Sequence, residues 1–172
     1  MRALPTRKLD RRITRVWRLS AIFNVLLWSL LVLVPLAIVW LVLGSQRGEE
    51  YRTAADVLGY VLFAVAVLAV LAFIIFVIVI PKVRWIQWSF DVYDEEIDIH
   101  KGIFWRKRII IPLIRVQNVD TRQGPVMRAN GLASFTVATA AGEHEIPGLE
   151  VAEADTLRDH VAVLARIAQE DV

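Results

Sequence analysis

Side chains able to ligate a metal or move a proton stand together at Glu143-His144-Glu145. The run precedes Pro147, which blocks a helix there, and it reads as a strand. Strand alternation points His144 away from both glutamates. No second histidine follows at helical spacing, and His100 and His160 lie far away in sequence. Ser89 and Ser134 fall in strand-like stretches without the framing of a nucleophile elbow. No glycine-rich phosphate loop occurs. The expectation is a chain with no catalytic, cofactor-binding or metal site. The lack of cysteine also excludes a disulfide scaffold.

Two polar clusters can serve recognition instead. Trp105-Arg106-Lys107-Arg108 places three cations beside an indole, with Lys107 facing opposite to its neighbours on a strand. The group could contact anionic lipid, each surface cation contributing about 1 kcal/mol, or form a solvated strand face. The second cluster is Arg115, Gln117, Asn118, Gln123 and Arg128, five long polar side chains within 14 residues. Its members either satisfy loop carbonyls inside the fold or form a partner-binding patch beside a membrane. Asp94, Glu95, Glu96 and Asp98 read as a solvated acidic turn.

The elements that position these clusters follow from hydropathy. The 172 residues are 56% hydrophobic, with a mean hydropathy of +0.51. None of the 38 charged residues lies between Leu19 and Gln46 or between Val57 and Pro81. As a helix, Leu19 to Leu43 rises about 37 Å, against a hydrocarbon core of roughly 30 Å. Trp17 and Trp40 lie near its ends, where indoles favour the interface. The run is too long for a signal-peptide core, so an uncleaved helix is expected. Val57 to Ile80 is long enough for a second span. The short polar loop between them makes an antiparallel hairpin. Neither span contains Asp, Glu, Lys, Arg or His, the groups that mark ion paths. That favours an anchor over a transporter subunit. Asn24 is expected to bond across to the neighbouring helix, and Pro35 to kink its own.

Charge divides unevenly. Residues 1–18 carry seven Lys/Arg and one acid; residues 82–172 carry eleven against fourteen. The basic pI of about 9.2 therefore belongs to the tail. The net-acidic soluble part lacks a nucleic-acid footprint. The positive-inside rule puts both termini in the cytoplasm. The expected organisation is a basic cytoplasmic tail (1–18), a two-helix transmembrane hairpin (19–81) and a soluble domain (82–172).

From Trp85 onward, hydrophobic and polar residues alternate in short runs. Trp88-Phe90-Val92, Ile97-Ile99, Phe104 to Ile111, Arg115 to Thr121, Phe135-Val137 and Glu143 to Ile146 read as strands. After Pro147-Gly148 the period becomes helical. Ala154, Leu157, Val161, Leu164 and Ala168 share a face that must be buried against the sheet.

The stretch Pro112 to Gly131, PLIRVQNVDTRQGPVMRANG, followed by Leu132-Ala133, resembles the signature of bacterial PH-like membrane proteins (DUF304, YdbS-like, with the domain called bPH2). Asp94 to Phe104 and Thr139 to Gly142 fit the same family, as does the two-span hairpin ahead of one domain. The resemblance implies a membrane α-hairpin plus an all-β PH-like barrel, partly open, of about seven strands, capped by a C-terminal α-helix. It implies a sharp turn at Gly124-Pro125 and a backbone at Gly131 that is unwelcome to residues with a Cβ. It suggests a non-enzymatic module in a bacterial inner membrane, assembling with a membrane-protein partner of the same family. Membrane lipid is the alternative ligand. Phosphoinositide recognition is not expected, because the first hairpin carries Asp94-Glu95-Glu96, which repels phosphorylated headgroups.

Overall fold

The computed structural model describes residues 4–170, which divide into two compact units, residues 17–81 and a unit made of residues up to 16 together with 82 onward. The apolar unit is a helical hairpin. Helix α1 spans Ile13–Ser45 and contains Pro35; α2 spans Glu49–Phe73. A π-helical turn, Ile74–Val79, then leads into α3, Ile80–Gln87. Helical backbone therefore runs through Pro81, where the second span was expected to end. Most of the large apolar side chains of α1 and α2 are exposed, among them Phe23, Trp28, Leu31, Phe63 and Leu68. Within the hairpin, α2 approaches α1 closely at Gly59, where a Cβ would stand 3.3 Å from the Trp40 indole nitrogen. Asn24 bonds along its own helix, not across the hairpin. Its amide donates to the Ser20 carbonyl at 2.8 Å, the cheapest partner for a polar side chain among apolar neighbours.

The second unit contains six strands among the described residues: β1 Ser89–Val92, β2 Glu96–Lys101, β3 Lys107–Pro112, β4 Val116–Arg122, β5 Leu132–Thr139 and β6 Gly142–Glu150. They form two separate antiparallel sheets, β1-β2-β3 and β4-β5-β6. The expected partly open barrel of about seven strands is thus six strands among the described residues, in two three-stranded sheets that do not close into a barrel. A 3-10 turn, Leu113–Arg115, makes the corner between them, because Pro112 ends β3 without a donor for further pairing. A short helix α4, Pro125–Ala129, follows β4, with Pro125 starting the helix where no donor is needed.

Helix α5, Val151–Glu170, closes the sheets by burying Ala154, Leu157, Val161 and Ala165. Leu164 and Ala168, expected on that face, lie at its margin instead. Helix α5 packs on β4, β5, β6 and the 3-10 turn, and the buried core of the unit includes Phe90, Ile97, Ile99, Leu113, Phe135, Val137 and Ile146.

Strand β6 runs through Pro147-Gly148 rather than stopping there. The register jumps between Ala133↔Leu149 and Phe135↔Ile146, so β6 carries one extra residue at the proline. That bulge accommodates a residue with no N–H, and the Gly148 carbonyl accepts instead from Asp10 N–H at 2.9 Å. This bond belongs to a wider docking of the N-terminal segment. Arg7 bridges Phe90 as a one-residue strand, Thr6 N–H donates to the Asp91 carboxylate at 2.7 Å, and Leu9 and Ile13 are buried. Trp85 donates its indole N–H to the Leu9 carbonyl at 2.8 Å, and Arg7 pairs with Glu153 at 2.6 Å. The basic segment, read as a tail, folds into the PH-like unit as far as Val16.

Candidate functional site

Since β3 and β4 meet only through the 3-10 corner, a cleft opens between them, with a volume of about 360 Å³. Ile110, Ile111, Pro112, Ile114 and Val116 give it apolar walls, and the Ala140-Ala141 turn closes one side. Arg115, Gln117, His144 and Gln169 add polar groups. Ile110 and Ile114 remain exposed at the cleft. An apolar concavity with a few convergent polar groups is the usual form of a binding site.

The local backbone explains why Gln117 is available. Val116 pairs with Thr139 and Asn118 with Ala138, so Gln117 is an extra residue bulged from the β4 edge. The bulge breaks strand alternation, and both Gln117 and Asn118 become exposed. Arg115 is exposed on the 3-10 turn. Among the described residues, none of these three side chains has a hydrogen-bond or ion-pair partner. Gln169, by contrast, donates to the Val116 carbonyl at 3.0 Å and fastens the end of α5 beside the cleft. Burial pushes the His144 imidazole below its ordinary pKa, and the charges of Lys101 and Lys107 push it the same way. It therefore presents a neutral ring to the cleft at neutral pH.

The five residues of the second polar cluster do not converge. Seven-residue β4 separates Arg115 from the Gln123 end by about 20 Å. Gln123 is structural, donating to the Leu132 carbonyl at 2.8 Å across the loop it closes. Arg128 is exposed on α4, and Gly131 follows with φ +66°. Arg115, Gln117 and Asn118 thus form one group, and Gln123 and Arg128 lie at the other end of the strand.

The first cluster also divides. Strand β3 begins only at Lys107, leaving Trp105 and Arg106 on the preceding loop, where both are exposed. Arg108 is held by Asp98, with its Nη2 2.6 Å and its Nε 3.1 Å from the carboxylate. Asp98 is wholly buried and so is not part of a solvated acidic turn. The hydrogen bond raises the Arg108 pKa above its ordinary value. Sequence reading missed Ile110, Ile114 and Gln169 as cleft residues. Exposed Ile110 breaks the alternation of a half-buried strand and exposed Ile114 sits on the 3-10 turn, but only the open corner gives them a meaning. No group of three or more metal-ligating side chains occurs among the described residues.

A family model described as "Bacterial PH domain" matches residues 18–165. The chain belongs to this family. It is 39% identical to the UPF0699 transmembrane protein YdbS of Bacillus subtilis (strain 168) over 172 residues, covering 100% of both chains. It is also 26% identical to the UPF0699 transmembrane protein YdbT of the same organism over 83 residues, which are 46% of this chain and 17% of that one. No solved structure matches. With two helices long and apolar enough to cross a bilayer, the chain is a membrane protein carrying a PH-like domain.

Proposed function

We propose that this protein is a non-enzymatic assembly module. In this reading it displays the PH-like domain on the cytoplasmic face of the bacterial inner membrane and binds another PH-like membrane protein of its family through the β3–β4 cleft. The observation that carries the reading is the placement of Arg115 and Gln117, exposed and without a partner among the described residues, at the polar edge of an apolar cleft. Arginine is favoured at interface hot spots because its planar fork pairs hydrogen bonds and lies over apolar surface. The exposed edges of β3 and β4 offer further backbone groups to a partner. Sidedness is supported by the docked N-terminal segment. Chain on both sides of the apolar hairpin folds into one unit, so an even number of crossings separates them, and the basic residues favour the cytoplasm.

The test is isolation of the full chain in mild detergent with identification of its companions. A family member should accompany it. Arg115→Ala should weaken the complex by roughly 2 kcal/mol or more while leaving the melting temperature nearly unchanged. A complex that survives Arg115→Ala undiminished, or a change in stability equal to the loss of binding, contradicts the reading.

A further inference from the structure

The loop joining β2 to β3 lies outside the cleft and carries a surface of its own. Phe104 and Trp105, adjacent in sequence, are 86% and 88% exposed. Few side chains lose more by facing water, and Trp in particular favours the membrane–water interface. The loop is held in shape at its base. Gly102 has φ +125°, and a Cβ there would collide with the Trp105 carbonyl, so only glycine lets the turn close. Gln87, with its amide nitrogen turned to the loop, donates to the Ile103 carbonyl at 3.1 Å. Gln87 is the sixth residue after Pro81, where the apolar stretch ends. Even fully extended, those six steps span no more than about 21 Å, so the chain keeps Gln87, at the base of the loop, within that distance of the end of the apolar stretch.

Charge around the aromatic pair has one prevailing sign. Arg106 and Lys107 follow it and are exposed, and Lys101 stands opposite Lys107 in the β2–β3 register. Burial lowers the Lys101 pKa and the nearby charges of Lys107 and Arg84 add to the shift, while the Glu145 carboxylate opposes it. Arg108 does not belong to this surface, being committed to Asp98.

We propose that Phe104 and Trp105 seat in the headgroup–acyl boundary of the membrane that holds the apolar helices, with Arg106 and Lys107 meeting anionic headgroups. The loop is a second attachment that fixes how the domain faces the bilayer, independently of any protein bound at the cleft. A shallow aromatic pair suits this role because it enters the interface without carrying backbone into hydrocarbon.

The experiment uses the full chain in nanodiscs of phosphatidylcholine with phosphatidylglycerol, labelled with an environment-sensitive fluorophore on Phe104→Cys. The label should be quenched by a nitroxide placed at headgroup depth and shielded from aqueous iodide. Replacing Arg106 and Lys107 with Gln should reduce the nitroxide quenching, each cation lost lowering the loop's partition about fivefold. A second label, on Arg106→Cys with both aromatics intact, gives the same reading if the first substitution disturbs the loop. Iodide access equal to that of a free peptide at both positions, with no nitroxide quenching, would overturn the proposal.

Discussion

Arg108 shows how far a residue's role depends on its cross-strand neighbour. In sequence it belongs with Arg106 and Lys107, three cations in a row. In the fold, β2 and β3 pair with Asp98 opposite Ile110 and His100 opposite Arg108, and the guanidinium reaches diagonally to the buried carboxylate. A carboxylate as enclosed as Asp98, left without its counter-charge, costs about 3–5 kcal/mol. Arg108→Ala should therefore lower the melting temperature by several degrees. The double change Asp98→Leu with Arg108→Met should recover much of it, since apolar side chains can replace a buried pair. Thermal unfolding of the two variants checks the order. An Arg108→Ala protein as stable as the parent would return Arg108 to the surface cations.

Among the elements, the strands and α5 were legible because their periods of 2 and 3.6 survive in the sequence, and Pro112 marks the end of β3. The docking of the N-terminal segment was not legible. Seven cations before a hydrophobic run look like a flank that sets membrane orientation, and only the bulge at Pro147-Gly148 provides the carbonyl that captures Asp10. The cleft was half legible: Arg115 and Gln117 stood out by type, but separating them from Gln123 and Arg128 required the length of β4. The segment also carries a pH signature. A hydrogen bond from Arg12 holds the Asp10 carboxyl below its ordinary range, even against the opposing effect of burial. A depressed carboxylate pKa contributes stability that is full above the unfolded value of about 3.9 and is lost as pH falls through the folded value. Asp10→Asn should thus be less stable near neutrality and show a flatter decline between about pH 5 and pH 2. Denaturation midpoints across that range measure both effects. Parallel curves for the parent and the variant would show that Asp10 does not carry the acid sensitivity.

For the whole molecule, the hairpin, the docked segment and the domain together fix what can face a partner. With no native cysteine, sidedness can be read directly. A cysteine at Gln46, in the loop between the spans, should react with an impermeant thiol reagent added outside intact cells; one at Ala141 should react only after lysis. Labelling at Ala141 in intact cells would put the domain on the wrong side for the proposed assembly. The assembly itself is tested most directly at the bulge. A photo-crosslinking side chain placed at Gln117 of the full-length protein, in its native membrane, should form an adduct with a membrane protein carrying the same domain. The same group at Val163, exposed on α5 and absent from the cleft lining, should give none. Adducts at Gln117 with lipid alone, or no more than at Val163, would contradict partner binding at the cleft.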